Sequence, residues 1–150
     1  MSEEFTKKLE VGFDKLDAEH RALMHQVAAS VDALRSGNRA ATHLALVKLG
    51  DYLVWHFSSE EKVMEETVYP ERARHKAAHD LFMQDFMQLC QAEKPGEDLA
   101  HLSEALGHRI PEWIKFHVQV NDAPLGRYLA ARERKPEASR PSAKDKPYPS

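Results

Sequence analysis

Seven side chains of metal-ligating type stand in this chain where an amphipathic helix would carry buried apolar residues. They are five histidines and two carboxylates: His20, His56, Glu60, His75, His79, His117 and Asp122. Burying a carboxylate or imidazole without a partner costs several kcal/mol or shifts its protonation. A shared partner is therefore expected, and this mixture of groups predicts a metal site built from nitrogen and oxygen donors.

The spacing of four of these residues favours convergence on one point. His56 and Glu60 are four residues apart, and so are His75 and His79. Residues at that spacing lie on the same face of a helix. One histidine on an apolar face is usually a hydrogen-bonded core residue, but several such elements on consecutive helices, all in phase with the core, favour metal binding.

The last two residues are less regular. His117 and Asp122 are five residues apart, a spacing that a regular α-helix does not superpose. We expect a distorted last turn at this point, or an approach of Asp122 from the end of its helix.

The donor set fits two octahedral metal ions. Five imidazoles, two bridging carboxylates and one bridging oxide or hydroxide would leave one coordination position open. If three histidines hold one ion and two hold the other, the open position is on the second ion, where a small ligand can bind end-on. Nitrogen-rich ligation suits redox-active iron, whereas zinc favours tetrahedral sites and magnesium or calcium favours oxygen shells.

Four amphipathic stretches must carry these residues. Apolar positions at intervals of three and four predict helices over residues 17–35, 38–66, 71–93 and 97–120. Gly37 is the stop after the first helix, Asn38 the cap of the second, and Pro124 the end of the fourth, with a short helix over 125–134 behind it. Long helices with short connections predict an all-α protein, an antiparallel up-down-up-down four-helix bundle.

One residue disturbs the fourth stretch. Pro111 removes a backbone donor, and its ring clashes with the preceding turn of an α-helix. We expect a kink or a break near Ile110.

Length and composition predict one domain, residues 1–134, and a disordered basic tail rich in Pro and Ser, residues 135–150. Residues 127–150 carry seven Lys or Arg against three Asp or Glu, so the rest of the chain is more acidic than the net charge of −3 indicates. An acidic body argues against nucleic-acid binding. The tail leaves open an interaction with a protein partner, although a solvated end is the simpler interpretation.

Two further classes of protein are excluded by count and hydropathy. Cys90 is the only cysteine, so neither an internal disulfide nor a thiolate metal site is expected. No stretch approaches the roughly 20 apolar residues of a membrane helix, and the start, MSEEFTKKLE, lacks the apolar run of a secretory signal. We expect a cytoplasmic protein without a membrane span.

The ligand series resembles that of the hemerythrin family, specifically its single-domain bacterial members. The matching elements are His20, HxxxE at His56 to Glu60, HxxxH at His75 to His79, and HxxxxD at His117 to Asp122. The resemblance covers about residues 9–130. It implies a non-haem di-iron centre, with two iron ions per chain and a bridging oxide or hydroxide, that binds dioxygen reversibly.

The resemblance also implies a role for each ligand. His75, His79 and His117 would hold the saturated iron, His20 and His56 the iron with the open position, and Glu60 and Asp122 would bridge. Reversible binding requires a dry pocket. Its lining would be Leu23, Phe57, Trp113, Ile114 and Val118, although each of these could equally be an ordinary core residue.

Three functions stay open. The first is dioxygen carriage, storage or delivery without turnover, and it is the one we expect. The second is an enzyme, either a di-iron oxidase or a scavenger of peroxide or nitric oxide; ferritin-like oxidases use paired ExxH motifs in carboxylate-rich sites, and neither pair occurs here. The third is an oxygen or redox sensor, for which no fused signalling domain is seen.

Overall fold

The computed structural model describes residue 7, residues 9–91 and residues 100–133, and within these ranges it contains helices and no strand. The helices are α1 (Asp14–Arg35), α2 (Arg39–Glu66), α3 (Arg72–Gln91), α4 (Ala100–Glu104), α5 (Ile110–His117) and α6 (Ala123–Glu133). Two π-helical turns join the last three helices into one run. The first π-turn is Ala105–Arg109, between α4 and α5, and the second π-turn is Val118–Asp122, between α5 and α6.

The predicted connection between the first two helices is confirmed. Gly37 follows α1 with a φ of +73°, a conformation that glycine adopts at little cost. Asn38 caps α2, because its side-chain oxygen accepts a hydrogen bond of 3.0 Å from the amide of Ala41. The start of α1 lies at Asp14, earlier than the predicted Asp17.

The helices form the predicted antiparallel four-helix bundle. Along α2 from Gly50 to Glu60, the neighbour on α3 moves back from Phe86 to His75. The helical run from α4 to α6 pairs with α3 in the same opposed order, and it also meets α1. Residues far apart in the sequence therefore face one another at the middle of the bundle.

Two clusters of buried apolar side chains hold this arrangement. The main cluster draws on α1, α2, α3 and the helical run from α4 to α6 and includes Leu49 and Leu53, both 0% exposed. A smaller cluster places Leu125 and Leu129 of α6 against Leu16 of α1 and Met64 of α2. Each fully buried side chain of this size contributes about 1.5–3 kcal/mol. The burial of these side chains therefore holds α6 against α1 and α2.

Pro111 disturbs the fourth helix where expected, and the disturbance is a π-turn. The amide of Ile110 donates to the carbonyl of Ala105, five residues back. Pro111 then lies in the first turn of α5, where a missing N–H costs little. The backbone stays helical through this point and does not break.

The prediction that Pro124 ends the fourth helix is wrong. The second π-turn carries the helix through Asp122, and Pro124 lies in the first turn of α6. Here too the hydrogen-bond ladder changes just before the proline, because the amide of Ala123 donates to the carbonyl of Val118. The short C-terminal helix is confirmed, and it ends at Glu133.

Some predictions lie outside the described residues. These are the end of the third helix at 93, the start of the fourth at 97 and the disordered tail at 135–150. Among the described residues, no helix combines the length and apolar character needed to cross a membrane.

Candidate metal centre

The seven predicted ligands converge at the middle of the bundle, and each is at most 3% exposed. They form two overlapping groups in which the donor atoms lie within 4.8 Å of one another. The two-imidazole group contains His20, His56, Glu60 and Asp122, and the three-imidazole group contains His75, His79, His117, Glu60 and Asp122. Glu60 and Asp122 belong to both groups, as bridging carboxylates would.

Glu60 directs one oxygen to each group. Its Oε2 lies 3.0 Å from Nε2 of His56, in the two-imidazole group. Its Oε1 lies 3.1 Å from Nε2 of both His75 and His79, in the three-imidazole group. The carboxylate therefore spans the two groups.

Asp122 is divided in the same way. Its Oδ2 lies 2.8 Å from Nε2 of His20. Its Oδ1 lies 2.9 Å from Nε2 of His75 and 3.1 Å from Nε2 of His117. The second π-turn makes this possible, because it brings Asp122 onto the face of His117 although the two are five residues apart. The distorted turn predicted from this spacing is confirmed.

The donor atoms fit a bound cation better than they fit one another. Despite the short distances, both oxygens of Glu60, both oxygens of Asp122 and Nε2 of His20 and His75 lack a hydrogen-bond partner of acceptable geometry among the described residues. Buried polar atoms left in this state cost about 1–3 kcal/mol each. Lone pairs that converge without pairing are what metal ligation requires.

Without a cation, the cluster holds protons. Burial is the largest influence on the pKa of His20 and lowers it, but the carboxylates of Asp122 and Glu60 outweigh burial and raise that pKa to about 9. The same two carboxylates raise the pKa of His75 to about 9, and Glu60 and Glu19 raise that of His56 to about 10, again against burial. For the two carboxyl groups, burial raises the pKa, but the neighbouring imidazoles outweigh it and hold it well below its ordinary value. A metal must therefore displace protons.

The outer nitrogens of the imidazoles have partners that sequence reasoning missed. Nδ1 of His56 lies 2.8 Å from Oε1 of Glu19, and Nδ1 of His79 lies 2.9 Å from Oε2 of Glu61. Such carboxylates select the tautomer and orient the ring of a metal-bound histidine. The only sequence signal was position, since Glu19 directly precedes one ligand, His20, and Glu61 directly follows another.

The remaining ligands are held by weaker partners. Nδ1 of His20 lies 3.4 Å from the backbone carbonyl of Leu9, and the side-chain amide of Asn121 lies 3.2 Å from Nδ1 of His117. Among the described residues, Nδ1 of His75 has no hydrogen-bond partner. The orientation of the rings is thus controlled most tightly at one histidine of each group.

Two of the five residues proposed as pocket lining stack on candidate ligands. Phe57 stacks on His79 with ring centroids 4.0 Å apart, and Trp113 stacks on His117 at 4.8 Å. The other three, Leu23, Ile114 and Val118, are 2% exposed and belong to the main apolar cluster. All five belong to the main apolar cluster or pack against it, so each can serve as an ordinary core residue, as a lining of the site, or as both.

A small recess lies beside the shared carboxylate, where α6 covers the bundle. It is lined by Phe13, Leu16, Glu19, Glu60, Val63 and Leu129. Four of these six side chains are apolar, so this side of the site is also poorly suited to ordered water, which needs several polar partners. The other histidines, His25, His43, His101 and His108, are exposed, as expected of residues outside the site.

Comparison of the sequence with known proteins identifies a family. The model of the hemerythrin HHE cation binding domain matches residues 11–128. A bacteriohemerythrin of Stenotrophomonas maltophilia is 31% identical over 114 residues, covering 76% of this chain and 72% of the relative. A bacteriohemerythrin of Methylococcus capsulatus is 31% identical over 121 residues, covering 81% and 89%. A hemerythrin-like protein of Naegleria gruberi is 28% identical over 112 residues, covering 75% and 81%.

Proposed function

Because this chain belongs to the hemerythrin family, whose domain binds cations, we propose that its cluster holds two iron ions and binds dioxygen reversibly. The observation that carries this proposal is the pair of overlapping donor groups joined by Glu60 and Asp122. A pair of ferrous ions would supply the two electrons that dioxygen takes up on binding and returns on release. The protein itself has to hold the ions, leave one position open and keep water away.

The ligand count supports an opening in the two-imidazole group. That group offers His20 and His56 besides the shared carboxylates, one imidazole fewer than its neighbour. In the three-imidazole group, His75, His79 and His117 would complete the coordination of the other ion. A small ligand would therefore bind on the side of His20 and His56.

The surroundings support carriage in preference to turnover. Nitrogen donors outnumber carboxylates, and the two carboxylates are both shared between the groups. The main apolar cluster and the stacked rings of Phe57 and Trp113 lie around the donor groups. They would oppose the entry of water and protons, which would make oxygen binding irreversible. We propose on this basis that the protein is not an enzyme.

The proposal is tested by an optical titration of the anaerobic, iron-loaded protein with dioxygen. We expect a visible charge-transfer band that appears with oxygen, disappears when oxygen is removed, and returns over several cycles. His75→Ala should abolish the band, whereas His101→Ala, an exposed histidine, should leave it unchanged. Steady oxygen consumption would instead favour the enzyme, and fewer than two irons per chain would overturn the site.

A further inference from the structure

The two π-turns of this bundle share a feature of sequence. Each is followed by a proline two residues after its last residue: Pro111 after the first π-turn, Ala105–Arg109, and Pro124 after the second, Val118–Asp122. These are the only π-turns in the described part of the chain. The repetition indicates that proline and π-turn are physically linked.

The link follows from proline chemistry. In an α-helix, proline cannot donate to the carbonyl four residues back, and its ring collides with that carbonyl. For Pro124, the carbonyl concerned is that of Val120, inside the second π-turn. Because the amide of Ala123 donates to Val118, five residues back, the ladder has already widened when the chain reaches the proline. The wider turn thus accommodates Pro124 within a continuous helix.

The widened turn decides where Asp122 lies. In a regular α-helix, residues five apart are about 140° apart around the axis, so Asp122 would leave the face of His117. In the π-turn, Oδ1 of Asp122 lies 3.1 Å from His117, and its Oδ2 lies 2.8 Å from His20 across the bundle. The extra residue in the π-turn therefore decides whether the carboxylate of Asp122 is shared by both donor groups or lies away from them.

We propose that Pro124 is a positioning residue for the metal centre: it selects the second π-turn and thereby places Asp122 between the two donor groups. This inference rests on the proposed function only in taking Asp122 as a ligand shared by two ions. Pro111 is the internal comparison, because the first π-turn carries no ligand and its histidine, His108, is exposed.

The test is Pro124→Ala. In the metal-free protein, the amide of Ala123 should change its acceptor from the carbonyl of Val118 to that of Gln119, which a crystal structure or hydrogen-bond NMR couplings would show. Thermal stability should stay equal or rise, because alanine restores a donor and favours the α-helix. Binding of the second metal ion, measured with Zn²⁺ and anaerobically with Fe²⁺, should weaken about tenfold or more, as when residues that orient metal ligands are lost.

Two further variants separate register from simple damage. Pro111→Ala should convert the first π-turn toward an α-helical turn and leave thermal stability equal or higher, as Pro124→Ala does at the second. It should leave both metal affinities unchanged. A deletion of Val120, which is exposed, can be added to Pro124→Ala. It places His117 and Asp122 four residues apart, and it should restore binding of the second metal ion.

The outcomes are distinct. Pro124→Ala with the Ala123–Val118 hydrogen bond intact and unchanged affinity for the second ion overturns the inference, since packing alone would then hold the π-turn. If the wild-type protein binds no pair of metal ions, the proposed function fails, while the acceptor of the Ala123 amide in the variant still decides whether Pro124 selects the turn.

Discussion

The two donor groups differ in what stands behind their imidazoles. In the two-imidazole group, His56 is held by Glu19, whose side chain is 9% exposed. In the three-imidazole group, His79 is held by Glu61, whose side chain is 26% exposed and lies 3.8 Å from Lys76. Phe57 and Trp113 stack on imidazoles of this second group at 4.0 and 4.8 Å, whereas the ring stacked on the first group, Tyr52 on His56, is 6.4 Å away.

The difference indicates two ways of building half a metal centre. The three-imidazole group has more ligands, and aromatic rings pack on two of its imidazoles, so its geometry depends less on charge. The two-imidazole group has one ligand fewer and depends on a buried anion, whose charge is poorly screened. We therefore expect the latter group to be the more sensitive to charge and pH.

The largest effect should come from removing what the groups have in common. Glu60→Ala deletes a carboxylate that reaches both groups, so both metal affinities should fall by more than about a hundredfold, beyond the loss typical of outer partners. Equilibrium dialysis with metal analysis measures this, and Glu66→Ala, a change at an exposed residue of the same helix, is the matched control. Two ions retained by Glu60→Ala would mean that the groups are independent.

The second test uses pH. His20 and His56, with pKa values of about 9 and 10, must each lose a proton when metal binds the two-imidazole group, and His75, with a pKa of about 9, must lose one when metal binds the three-imidazole group. Between pH 6.5 and 8.5, loss of the two protons should raise the affinity of the two-imidazole group up to about a hundredfold per pH unit, and His75 should contribute about tenfold per pH unit to the affinity of the three-imidazole group. Competition with a chelator in successive Zn²⁺ binding steps measures both slopes.

Protonation of these imidazoles weakens metal binding but stabilises the metal-free fold. Since the folded-state pKa values are raised above 6.5, the stabilisation by charged imidazoles is present below that pH and is lost as pH rises through about 9 to 10. An affinity of the two-imidazole group that does not change with pH, or a metal-free protein that gains stability over this range, would contradict the protonation of His20 and His56.

The smallest effect should come from the outer carboxylates. Glu19→Gln keeps an acceptor for His56 but removes the charge, so affinity of the two-imidazole group should fall about tenfold. Glu61→Gln should cost the three-imidazole group only a few-fold, because solvent and Lys76 already screen that charge. The two variants are controls for each other, and an equal or larger effect of Glu61→Gln would reverse the comparison.

The convergence of the seven candidate ligands could be predicted from sequence because a helix repeats regularly. Spacings of four residues placed His56 with Glu60 and His75 with His79, and a buried polar stripe has few explanations other than a shared cation. The five-residue spacing of His117 and Asp122 likewise predicted a distorted helical turn. The bundle followed from the same periodicity.

The parts that could not be predicted depend on neighbouring helices. Residues next to a ligand point about 100° away from it, so Glu19 and Glu61 had the positions of ordinary surface residues. Each meets an imidazole only because a second helix lies alongside. Pro124 was misread for a similar reason, since proline ends a helix only where the preceding turn keeps α-helical spacing.

The contact between His20 and Asp122 has a consequence for the order of folding. These residues come from the first helix and from the last π-turn, and they are 2.8 Å apart only when the bundle is closed. Contacts of such long range form late, after much chain entropy has been lost. A metal ion that needs both residues can therefore not start the folding of this chain. It would bind a chain that has already closed, and its main effect on the folded protein would be to slow reopening.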